Sequence, residues 1–149
     1  MPEELKEQIM DYYDRANKFA QELLGWVEVY APKDVQEKFS VALSEMINGS
    51  DKTLLRILHY PPMTGDEEPG AIRAAAHEDI NLLTVLPAAN EPGLQVKGKD
   101  GNWIDVPCDF GNLIINIGDM LQEASGGYFP STTHRVITVS YTHLRAHET

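Results

Sequence analysis

Apolar residues in the first part of the chain recur every three or four positions, and after Asp51 the pattern changes to short β-prone runs between turns. Leu5, Ile9, Tyr12 and Tyr13, Ala16, Phe19 and Ala20, and Leu23 form one stripe, which predicts a helix over Pro2–Leu24. Pro2 suits a first-turn position, Glu3 and Glu4 complement the positive end of the helix dipole, and Gly25 is the expected stop. The spacing predicts a second helix from about Pro32 to Ile47, closed by Asn48-Gly49-Ser50-Asp51. Thr53 to Tyr60 then reads as a strand stopped by Pro61-Pro62, with Met63 to Gly70 as an acidic loop. A β-prone run around His77 follows, extending toward Leu86. Leu94-Gln95-Val96 and Trp103 to Val106 flank Lys99-Asp100-Gly101-Asn102, and an Asp-Gly between two alternating runs predicts a hairpin. Leu113 to Ile117, closed by Gly118-Asp119, and Thr132 to Val139 are the last strands.

Two helices leading into six or seven short strands outline a mainly β protein, an all-β sandwich or jelly roll with the two N-terminal helices packed outside it. At 149 residues the chain fits one domain. Within it, residues 1–50 form the helical part, residues 51–139 the β core, and residues 140–149 a tail unlike the rest.

Charge and cysteine usage narrow the function. The chain has 12 basic and 23 acidic residues, a net charge of −11 with histidine neutral. It therefore lacks the basic stripe that a phosphate-binding face needs, which argues against nucleic acid and against an anionic membrane surface. No apolar run approaches the ~18 residues of a membrane span. The acidic start is unlike a secretory leader, and the lone Cys108 permits no internal disulfide, so a cytoplasmic setting is expected. The expected partner is a small molecule, and the expected state a monomer.

The candidate chemistry lies in Ala76-His77-Glu78-Asp79-Ile80. In an extended chain His77 and Asp79 share one face while Glu78 points to the other. His134, 55 residues beyond Asp79, is the candidate third ligand, since strands distant in sequence face one another in such a barrel. Two histidines and one carboxylate form the facial triad that favours non-haem Fe(II) and leaves coordination positions open. The tripeptide alone is weak, because His-x-Asp arises by chance in roughly one protein of this kind in four from average residue usage. A zinc hydrolase is a weaker alternative, because Glu78, its only nearby base, should point away from the metal.

Context strengthens the motif. Leu55-Arg56-Ile57-Leu58-His59-Tyr60-Pro61-Pro62, Ala76-His77-Glu78-Asp79 with Leu82-Leu83-Thr84, Pro92-Gly93-Leu94-Gln95-Val96, Gly101-Asn102-Trp103, Asn116-Ile117-Gly118-Asp119 and Ser131-Thr132-Thr133-His134-Arg135-Val136 follow one another in order over about residues 53 to 138. This series resembles the isopenicillin N synthase-like 2-oxoglutarate/Fe(II)-dependent dioxygenases. The resemblance implies a double-stranded β-helix, with Fe(II), 2-oxoglutarate and O2 as the working set. It implies iron ligation by His77, Asp79 and His134, and a contact from Tyr60 to the 2-oxoglutarate carboxylate. The implied activity couples oxidative decarboxylation of 2-oxoglutarate to oxidation of a small organic substrate. Asn116 and Asp119 match a recurrent turn and read as structural, with Asn116 bordering the site.

Two departures qualify the resemblance. Leu58 stands where plant relatives often carry a polar residue of the co-substrate pocket. Beyond the distal histidine the family places Arg-x-Ser, whose arginine grips 2-oxoglutarate through paired hydrogen bonds. Here Arg145 is followed by His147 where serine is expected, so the role is not carried over to Arg145. Residues from about Ser140 onward, including the i, i+4 pair His143 and His147, read as foreign to the family and as a replacement of its true C-terminus. An inactive metal-binding fragment, or an oxidase of the same fold that does not use 2-oxoglutarate, are therefore the alternatives at this point.

Overall fold

The structure is a computed structural model that describes residues 2–62, 64, 66, 67 and 71–138. Most of the acidic loop over 63–70 and the tail with His143, Arg145 and His147 lie outside the described residues. The chain divides into two compact units, Met1–Leu58 with Met120–Pro130, and His59–Asp119 with Ser131–Thr149. The architecture is mainly β sheet with a long N-terminal helix.

In the first unit α1 spans Glu3–Tyr30, past the stop expected at Gly25. A glycine inside a helix costs only about 1 kcal/mol relative to alanine, too little to end one whose following turn still forms. The obligate stop is Pro32, which drives the residue before it out of the helical region. Ala31 is accordingly extended, at φ −67° and ψ 151°. The single helix expected over Pro32–Ile47 is instead a short α2 (Lys33–Gln36) and a 3-10 turn (Leu43–Met46). The break lets Glu28 of α1 accept the Leu43 backbone N–H at 2.8 Å, a local cap that a continuous helix has no place for. Leu24, Val35, Leu43 and Leu121 are buried in this unit and make its apolar core.

The strand expected over Thr53–Tyr60 does not form. These residues join no ladder with any described strand, and Leu54 and Ile57 stand 80% and 72% exposed. A β-prone apolar run becomes a strand only when a neighbour supplies hydrogen bonds and a core covers one face. The Tyr13 hydroxyl donates to the Thr53 carbonyl at 3.1 Å and ties the start of this stretch to α1.

The second unit carries six strands: β1 (Ile72–His77), β2 (Leu83–Pro87), β3 (Leu94–Lys97), β4 (Trp103–Asp105), β5 (Leu113–Ile117) and β6 (His134–Ile137). A four-stranded sheet has the order β1-β6-β3-β4, and β2 pairs with β5 in a separate sheet. All pairings are antiparallel. The expected hairpin joins β3 to β4, with Gly101 at φ +83°, a conformation that glycine takes without steric cost. A short helix α3 (Asp119–Ala124) follows β5. Among the described residues no helix is long and apolar enough to cross a membrane.

Candidate metal centre

The site is built from two cross-strand pairs and one loop residue. His77, the last residue of β1, lies directly opposite His134, the first of β6. Thr84 of β2 lies directly opposite Asn116 of β5. Asp79 belongs to neither sheet: β1 ends at His77, so strand alternation does not bring the two together as the sequence suggested. The loop does so instead, held where the Asp119 backbone N–H donates to the Asp79 carbonyl at 2.8 Å.

The outcome is a cluster of three donors. Asp79 Oδ1 lies 3.9 Å from His77 Nε2 and 3.9 Å from His134 Nε2, and the three donor atoms fall within 4.8 Å of one another. The imidazole rings are tilted by 53° with centroids 4.3 Å apart. Among the described residues, this is where histidines and a carboxylate gather in a set able to hold a metal ion.

Hydrogen bonding dictates which atom each side chain offers. His77 Nδ1 lies 2.7 Å from the Ala75 carbonyl and His134 Nδ1 lies 2.9 Å from the Thr132 carbonyl. A carbonyl only accepts, so each Nδ1 carries the proton and each Nε2 presents a lone pair. In both cases the acceptor is two residues back on the same chain segment. Asp79 is polarised in the same sense. Its Oδ2 accepts from the Thr84 hydroxyl at 2.6 Å and from Asn116 Nδ2 at 2.9 Å, leaving Oδ1 turned to the two Nε2 atoms.

Partial burial opposes ionisation of Asp79, but the donors Thr84 and Asn116 and the two nearby imidazoles outweigh it, and hold the carboxyl below its ordinary range. Two imidazoles that turn Nε2 inward and one carboxylate are the donor set of a facial non-haem iron site, and their chemistry fits that metal. Glu78 turns to accept from the Thr133 hydroxyl at 2.6 Å. Tyr60 is not in this cluster: its ring lies under the Arg73 guanidinium, 5.8 Å from centroid, while Arg73 also donates to the Pro61 carbonyl. Arg73 is four residues from His77 along β1, roughly 13 Å at strand rise.

Thr84 is a site residue that the sequence pattern does not mark, and Asn116 is one that it places only at the border. The available signal was a hydroxyl five residues after Asp79 at the start of an apolar strand.

Antiparallel β structure carrying two histidines and a carboxylate around one point defines a candidate mononuclear metal protein. The chain belongs to the 2OG-Fe(II) oxygenase superfamily, whose profile matches residues 52–146. It is similar to a Shewanella oneidensis protein of known crystal structure, provisionally described as an oxygenase, with 70% identity and a TM-score of 0.87 over 95% of this chain and 52% of that one. It is 31% identical over 137 residues to gibberellin 2-beta-dioxygenase 3 of Arabidopsis thaliana, covering 92% of this chain and 40% of the relative. It is 33% identical over 140 residues to the 2-oxoglutarate-Fe(II) type oxidoreductase hxnY of Emericella nidulans, covering 93% of this chain and 38% of the relative. The chain thus spans about two fifths of these curated relatives. The likeness drawn from the ordered motif blocks holds at the level of the superfamily, whose working set is Fe(II), 2-oxoglutarate and O2.

Proposed function

We propose that the protein is an Fe(II)- and 2-oxoglutarate-dependent oxygenase that couples oxidative decarboxylation of 2-oxoglutarate to oxidation of a small organic substrate. The observation that carries this reading is the convergence of His77 Nε2, His134 Nε2 and Asp79 Oδ1, each aimed by a hydrogen bond on its other polar atom, in a chain of this family. These three residues would hold the iron. When bound, iron supplies the activation of O2 against the 2-oxo acid. The chain's own part is to fix both imidazole tautomers, to supply one negative charge, and to keep donors on a single side so that the other side is free for ligands.

In this reading the strands between Ile72 and Ile137 are part of a double-stranded β-helix, or jelly roll. Tyr60 serves the co-substrate through its hydroxyl, on the segment leading into β1. The net charge of −11 supports a small-molecule substrate over nucleic acid, and a monomeric, cytoplasmic enzyme is the simplest form consistent with it.

Anaerobic reconstitution with Fe(II) followed by 2-oxoglutarate is expected to give a visible metal-to-ligand charge-transfer band. Iron bound without that band would remove 2-oxoglutarate from the reading. Failure to bind iron, or binding that His77→Ala leaves unchanged, would remove the metal centre.

A further inference from the structure

We infer that Thr84 and Asn116 are positioning residues that fix Asp79 to offer a single oxygen, Oδ1, to the metal. The inference deepens the function proposed above and rests on its assignment of the three ligands. Thr84 and Asn116 are cross-strand partners in the β2–β5 pair, so one register places both donors against the same carboxylate oxygen. The direction of each bond is determined. Asn81 Nδ2 donates to Thr84 Oγ1 at 2.9 Å, which commits that hydroxyl's own hydrogen to Asp79 Oδ2 at 2.6 Å. Asn116 Nδ2 supplies the second hydrogen at 2.9 Å. The same amide nitrogen lies 3.5 Å from His134 Nδ1, which already donates to the Thr132 carbonyl, so Asn116 is left to serve Asp79.

With Oδ2 doubly engaged, the carboxylate cannot swing to present both oxygens without breaking two hydrogen bonds. The pair acts on the ligand and touches no substrate. It mirrors the His77–His134 pair of the other sheet: one cross-strand pair offers donors to the metal, and the other holds the third donor in place.

Co(II) titration of the full 149-residue chain tests this, with the visible d–d spectrum reporting the coordination. Thr84→Val and Asn116→Leu keep the side-chain shape and remove both donors to Asp79 Oδ2, Thr84→Val also removing the acceptor of Asn81 Nδ2. The double variant should bind Co(II) about 10–100-fold more weakly, the usual effect of losing outer partners of a metal ligand, and its d–d bands should shift as Asp79 is freed to bind through either or both oxygens. Thr84→Ser retains the hydroxyl and should restore both affinity and spectrum in that position. A double variant with the far-UV circular dichroism of the parent and the parent's Co(II) affinity and spectrum would overturn the inference. If either isosteric variant fails to fold, Thr84→Ala against Thr84→Ser reads the same hydroxyl, with equal affinity and spectrum counting against the inference. Parent binding that is lost in His77→Ala yet unchanged in the double variant overturns this inference alone. No Co(II) binding by the parent, or binding indifferent to His77→Ala, overturns the metal centre and this inference together.

Discussion

Asp79→Ala is expected to abolish metal binding, with Co(II) or Fe(II) affinity falling by more than ~100-fold, beyond what the loss of an outer partner causes. Asp79 is the one charged donor of the three, and its Oδ1 is equidistant at 3.9 Å from both Nε2 atoms. Asp79→Asn should do no better, for a reason particular to this site. Thr84 and Asn116 both donate, so they select the amide oxygen for the position of Oδ2 and leave the NH2 group where Oδ1 stood. That group is a donor and repels a cation. Equilibrium dialysis or calorimetry with Co(II) measures both variants. Affinity for Asp79→Asn close to the parent's would mean that the Thr84–Asn116 pair does not set the orientation of the side chain, and retention by Asp79→Ala would exclude Asp79 as a ligand.

What could be read from the sequence was what depends on residue type and short spacing. The β3–β4 hairpin follows from Asp100-Gly101, with Gly101 in the left-handed region and Asp100 accepting from the Asn102 backbone and side chain. The alternation of β6 was equally plain: His134 faces Asp79, while the next residue, Arg135, is stacked 4.0 Å over Trp103 and bonded to Gln95. What could not be read depends on pairing between distant segments. Thr53–Tyr60 has the apolar, β-prone composition of a strand stopped by Pro61-Pro62, but composition does not say whether a neighbour exists. α1 runs past Gly25 to Tyr30 because Gly25 is a weak stop signal and Pro32, seven residues later, a strong one. Thr84 and Asn116 lie 32 residues apart, and only the β2–β5 register makes them a pair. The three candidate ligands were therefore legible by their chemistry, while the residues that aim one of them were not.

The largest effect of a change outside the three ligands is expected at Gly118, between Asn116 and the Asp119 N–H that holds the Asp79 loop. A Cβ built there would lie 2.6 Å from Asn81 Oδ1 and 2.8 Å from the Asp79 carbonyl oxygen, and would collide with the Asn81 carbonyl oxygen as well. Two of these three atoms are backbone, so relief requires the loop carrying Asp79 to move away from β5. That motion strains the Gly118 N–H bond to Leu82 at 3.2 Å and the Asp119 N–H bond to Asp79 at 2.8 Å. Gly118→Ala should therefore destabilise the chain by about 1–3 kcal/mol, the usual range for overpacking, and weaken Co(II) binding in the same variant by displacing the Asp79 carboxylate. Gly25→Ala is the matching control: nothing lies within 4 Å of its Cβ position, and in the interior of α1 it should stabilise by roughly 0.5–1 kcal/mol without changing metal affinity. Urea unfolding and Co(II) titration of the two variants separate the cases. A Gly118→Ala chain with parent stability and parent affinity would mean that the loop yields without moving its carboxylate, and that the close approach at Gly118 does not position Asp79.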